Sequence, residues 1–127
     1  MSAVVLVVDD DFDLRETLAD VLLDEGFTVE TAADGLAALE YLRGGNRPAV
    51  ILLDWMMPRC DGAQFRAEQL RDAALATIPV VLLTADMRKD EKMAELAVET
   101  VITKPCDRAV LVATIRKYIA DTGDRAR

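Results

Sequence analysis

Val4-Val5-Leu6-Val7-Val8-Asp9-Asp10-Asp11 is a run of five aliphatic residues followed at once by three carboxylates. An apolar run that short, β-branched and unbroken by polar residues suits a central strand of a parallel sheet, where helices cover both faces. Ala49-Val50-Ile51-Leu52-Leu53 and Val80-Val81-Leu82-Leu83 have the same character. Thr28-Val29-Glu30-Thr31 carries polar neighbours around Val29 and suits an edge, and Thr100-Val101-Ile102-Thr103 supplies a fifth strand. Segments long enough for helices separate these runs. Leu14, Leu18, Val21 and Leu22 form one apolar stripe that Gly26 is placed to end. Asp34 precedes a second helix through Leu36, Leu39 and Leu42, closed by Gly44-Gly45. Asp61-Gly62 opens a third with a small apolar face of Ala63, Ala67 and Leu70. Met87 to Val98 reads as a charged fourth helix, and Leu111, Ile115 and Ile119 mark a fifth.

Strand and helix alternating five times specify an α/β fold: a doubly wound, five-stranded parallel (βα)5 sheet with right-handed crossovers and strand order 2-1-3-4-5. That order sets the carboxyl ends of strands one and three side by side, at the switch point where such sheets hold ligands. Asp9-Asp10-Asp11, Asp54, Thr84-Ala85 and Thr103-Lys104-Pro105 all fall at strand ends on this edge.

Composition narrows the chemistry. The chain has 127 residues, enough for one domain, and its 15 Lys plus Arg against 23 Asp plus Glu give a net charge of −8, the wrong sign for a nucleic-acid footprint. It has no histidine, which excludes His-based nucleophile activation and His-ligated metals. The two cysteines, Cys60 and Cys106, are too few for a disulfide scaffold and fit a reducing compartment. No apolar stretch approaches the roughly 18 residues of a membrane span, and Met1-Ser2-Ala3 lacks a basic signal region, so a cytoplasmic location with no membrane partner is expected. Clustered acids repel one another unless a cation compensates, and a hard divalent ion such as Mg2+ is the natural one for Asp9, Asp10 and Asp54. Asp11 and Asp13 are better read as the cap and first-turn acid of the first helix. A Gly-rich phosphate loop is missing after strand one, which disfavours dinucleotide or flavin binding.

Taken together, Val5-Leu6-Val7-Val8-Asp9-Asp10, Asp34-Gly35-Leu36-Ala37-Ala38-Leu39, Ile51-Leu52-Leu53-Asp54-Trp55-Met56-Met57-Pro58, Asp61-Gly62, Pro79-Val80-Val81-Leu82-Leu83-Thr84-Ala85 and Lys104-Pro105 resemble the receiver domain of bacterial two-component response regulators, the flavodoxin-like fold of the chemotaxis regulator CheY. Each motif is weak alone. In this order and spacing the set is highly specific. The resemblance implies a receiver domain over residues 1–120 with a polar tail at 121–127, and a stand-alone regulator because no output segment follows. It implies Asp54 as phosphoacceptor, with Mg2+ held by Asp9, Asp10, Asp54 and the main-chain carbonyl of Met56. Thr84, Ala85 and Lys104 would bind the phosphoryl group, and Pro105 would shape the turn through a cis Lys104-Pro105 bond. A histidine kinase or histidine phosphotransfer protein would donate the group, and an unidentified protein would read the result. Activity would be limited to Mg2+-dependent self-phosphorylation and slow self-dephosphorylation.

The chain departs from the family pattern in strand five, where Val101 stands in place of the usual switching aromatic. Thr84 and Val101 are thus the switch positions, and surface change is expected mainly from backbone shifts between Ala85 and Leu96. Two other functions compete. One is an unphosphorylated pseudo-receiver that only binds a partner, against which the intact acids argue. The other is a haloacid-dehalogenase-like phosphatase using Asp9-x-Asp11, for which the chain is short and offers only Asp107 as the further acidic motif.

Overall fold

The computed structural model describes residues 3–55, 61–84, 100–103 and 107–125. Five parallel strands, β1 (Val4–Val8), β2 (Thr28–Ala32), β3 (Val50–Asp54), β4 (Val80–Thr84) and β5 (Thr100–Thr103), form one sheet in the order β2-β1-β3-β4-β5. Four helices belong to the described residues: α1 (Phe12–Asp24), α2 (Gly35–Arg43), α3 (Gly62–Arg71) and α4 (Arg108–Arg125). The charged helix expected over Met87 to Val98 lies outside them.

Successive strand side chains point to opposite faces, so each apolar run feeds two core layers. Leu6, Val8, Ile51, Leu53, Val80 and Leu82 face Leu39, Leu42 and Phe65 of α2 and α3. Val5, Val7, Val50, Leu52, Val81 and Leu83 face Leu18 and Leu22 of α1 and Leu111 and Ile115 of α4. Both faces are covered, which is why β3 and β4 are buried end to end, while β2 at the edge is mostly exposed.

Helix ends follow the local chemistry. Asp11 caps α1 by accepting from the Leu14 amide at 3.1 Å, and Asp34 caps α2 by accepting from the Ala37 amide at 2.8 Å. Gly26 takes φ 94° beyond α1, the left-handed turn that its missing Cβ permits. In α3, Asp61 and Gln64 form a reciprocal capping box, each side chain accepting from the other's amide at 2.9 Å.

The buried face of α3 differs from expectation. Gly62, Phe65, Arg66 and Gln69, at i, i+3, i+4 and i+7, face inward, while Leu70 is exposed. A Cβ at Gly62 would sit 2.8 Å from both Cα and Cε3 of Trp55, so the glycine lets the helix rest directly on β3 and fixes its rotation. The two polar residues on this face bond to each other and onward: Arg66 Nη1 donates to Gln69 Oε1 at 2.9 Å, and Gln69 Nε2 donates to the carbonyls of Leu75 and Ile78 at 2.9 and 3.0 Å. The last helix also runs further than its apolar residues suggest, with 121–125 of the expected polar tail continuing α4.

Candidate functional site

The carboxyl ends of two adjacent strands, β1 and β3, bring the acids together. Asp54 is the last residue of β3, Asp9 follows β1 directly, and Val8 pairs with Leu53 across the ladder, which sets Asp9 level with Asp54. Carboxylate oxygens of Asp9, Asp10 and Asp54 lie within 4.8 Å of one another. Asp9 and Asp54 are buried, at 1% and 5% exposure, whereas Asp10 faces solvent. Burying two carboxylates beside a third is costly without a compensating cation. Three hard oxygen donors at this separation, with one side open to water, suit Mg2+, which keeps several waters and takes one or two protein carboxylates.

Local hydrogen bonds hold this arrangement. The Asp9 amide donates to the Ala32 carbonyl of β2 at 3.2 Å, and Asp9 Oδ1 accepts from the Asp11 amide at 2.9 Å. Asp11 is committed to capping α1 and Asp13 lies in its first turn, as their positions suggested. Trp55, 5% exposed, continues β3: its amide donates to the Leu83 carbonyl at 3.1 Å and its carbonyl accepts from the Gly62 amide at 2.9 Å. The chain therefore leaves β3 after Asp54 and returns at Gly62 to the same residue.

Thr84 ends β4, buried at 4% exposure, one strand over from Asp54 and paired with Thr103 of β5. Val101 pairs with Leu82 and packs, half-buried, against the core layer under α2 and α3. Met56, Ala85, Lys104 and Pro105 lie outside the described residues, as do Cys60, Cys106 and the expected switch segment from Ala85 to Leu96. The sequence reading gave no site role to two contributors, one of them the glycine of the Asp61-Gly62 helix start. Arg15 donates from Nη1 to the Asp9 carbonyl at 2.9 Å, and Gly62 closes the path after Trp55. In the sequence the first is marked only by an arginine one turn into the helix after three acids, and the second only by an Asp-Gly pair at a helix start.

None of the helices among the described residues is long and apolar enough to cross a membrane. Residues 5–116 match the sequence profile of the response regulator receiver domain. The transcriptional regulatory protein CseB of Streptomyces avermitilis is 41% identical over 123 residues, covering 94% of this chain and 50% of that protein. Response regulator MprA of Mycobacterium ulcerans is 39% identical over 124 residues, covering 96% of this chain and 52% of that one. This chain thus spans about half the length of the curated relatives it matches. Among solved structures, the CheY-like receiver domain protein of Methanospirillum hungatei superposes with a TM-score of 0.85 at 32% identity, covering 96% of this chain and 98% of that one. The chemotaxis protein CheY4 of Vibrio cholerae gives a TM-score of 0.85 at 29% identity, with 93% and 99% covered. With its fold, its acidic strand ends and nearly its whole length accounted for in this way, the chain belongs to the receiver domain family of two-component response regulators.

Proposed function

We propose that Asp54 accepts a phosphoryl group from the phosphohistidine of a histidine kinase or histidine phosphotransfer protein, and that the phosphorylated surface is read by a downstream protein. The observation that carries this reading is the gathering of Asp9, Asp10 and Asp54 oxygens within 4.8 Å at strand ends, with Thr84 buried at the end of the next strand. A carboxylate oxygen of Asp54 attacks phosphorus in line; the P–O bond forms as the P–N bond to the donor imidazole breaks, and the imidazole leaves with its proton. Mg2+, when bound, would supply positive charge to the phosphoryl oxygens. Asp9, Asp10 and Asp54 would hold that ion, with the Met56 main-chain carbonyl assigned as a further ligand. Lys104 and Ala85 are assigned to phosphoryl binding, Lys104 as the cation that would offset the charge on the phosphoryl oxygens. The Thr84 hydroxyl donates to one of these oxygens only after transfer, which makes it the sensor of the modified state. Attack of water on phosphorus slowly regenerates the carboxylate, so the protein is a signalling acceptor and not a turnover enzyme. We assign it to the cytoplasm, and with a net charge of −8 we assign its output to a protein partner rather than to nucleic acid.

Incubation with acetyl phosphate and Mg2+ should raise the intact mass by one phosphoryl group, and chelation by EDTA or Asp54→Ala should abolish the gain. Equal labelling of Asp54→Ala would overturn the assignment.

A further inference from the structure

The turn carrying Asp9 and Asp10 is held from within α1. Arg15 Nη1 donates to the Asp9 carbonyl at 2.9 Å, while the guanidinium carbon lies 5.3 Å from the centre of the Phe12 ring. Phe12 is 60% exposed, an unusual place for a large aromatic, and the stacked guanidinium gives its face a use. The Arg15 amide makes the first intrahelical bond of α1, to the Asp11 carbonyl at 2.9 Å, which sets where the side chain starts, so the guanidinium bond to Asp9 is the contact specific to arginine. The Asp9 carbonyl belongs to the peptide that joins Asp9 to Asp10. Fixing its direction fixes that peptide plane and so places the Asp10 Cα, leaving rotation about the Asp10 N–Cα bond to set where its side chain points.

We propose that Arg15 is a positioning residue for the acidic pair, holding the Asp9-Asp10 peptide so that both carboxylates face one divalent cation. This rests on the reading of Asp9, Asp10 and Asp54 as the Mg2+ site. The hydrogen bond of Arg15 goes to a main-chain carbonyl rather than to a carboxylate. A guanidinium beside a cation site also repels the incoming ion. A role in charge balance and a role in positioning therefore predict opposite signs: removing the charge alone would tighten Mg2+ binding, whereas losing the clasp loosens it.

Titration of the full chain with Mg2+, followed by Trp55 fluorescence and paired with thermal unfolding in EDTA, separates these outcomes. Arg15→Met keeps the aliphatic stem over Phe12 and removes the donor; it should weaken Mg2+ binding about tenfold, the scale of losing a group that orients a metal ligand. Arg15→Lys, which restores a donor on a stem of similar length, should recover most of that loss. Unchanged or tighter binding by Arg15→Met overturns the proposal, as does a lowered melting temperature in EDTA with unchanged Mg2+ affinity. Absence of any Mg2+ response in the wild type would instead overturn the reading of the site, and the positioning role with it.

Discussion

Of the three clustered carboxylates, Asp10 is the one in water, and the difference matters for what each can do. Asp9 is buried with its Oδ1 accepting from the Asp11 amide and Asp54 is buried at the end of β3, whereas Asp10 needs only to be aimed. Asp10→Asn keeps the shape but removes the formal charge and replaces one carboxylate oxygen with an NH2 donor, so Mg2+ affinity should fall by at least about tenfold with the fold intact. Titration against Trp55 emission measures it, and an unchanged affinity would remove Asp10 from the site. The acids were legible in the sequence because a polar triplet directly after an apolar strand has few structural uses. Arg15 and Gly62 were not, because their roles depend on where the backbone passes. The Asp9 carbonyl that Arg15 reaches and the Trp55 carbonyl that the Gly62 amide reaches are six and seven residues away, each at 2.9 Å.

At the scale of elements, unbroken apolar runs buried on both faces made the central strands readable and period-3.6 burial made α1 readable, since in both the buried residues are apolar. In α3 the inward stripe begins with a glycine and contains Arg66 and Gln69, buried at 3% and 0% exposure, so a search for apolar spacing selects the wrong face. Gln69 ties the helix to the segment leading into β4, the strand that ends in Thr84. Gln69→Leu would take an acceptor from Arg66 and leave the Leu75 and Ile78 carbonyls without this donor, a loss of about 2–3 kcal/mol for buried polar groups. Urea unfolding should show that loss; a change under about 0.5 kcal/mol, the range of ordinary surface substitutions, would contradict the structural role given to the pair. The continuation of α4 through Arg125 escaped notice for a related reason, as the polar residues from Asp121 onward carry no apolar stripe to extend. Val101 sits in the β5 register beside Leu82, and its short side chain packs in place without the reach of a ring.

At the scale of the whole molecule, strand order does the assembling: β1 and β3 are neighbours only because the chain winds both ways from β1, and this juxtaposition turns residues 45 positions apart into one cluster. The strand order was readable because alternating strands and helices leave few right-handed topologies. The central claim is that this cluster makes Asp54 the phosphoacceptor, and its most direct test is chemical. After treatment with acetyl phosphate and Mg2+, borohydride reduces an acyl phosphate to the corresponding alcohol, and peptide mass analysis then locates the altered residue. The account predicts homoserine at position 54 and unmodified aspartate at positions 9 and 10. Reduction at Asp9 or Asp10, or a phosphoryl label that resists borohydride and remains on a hydroxyl residue, would contradict it.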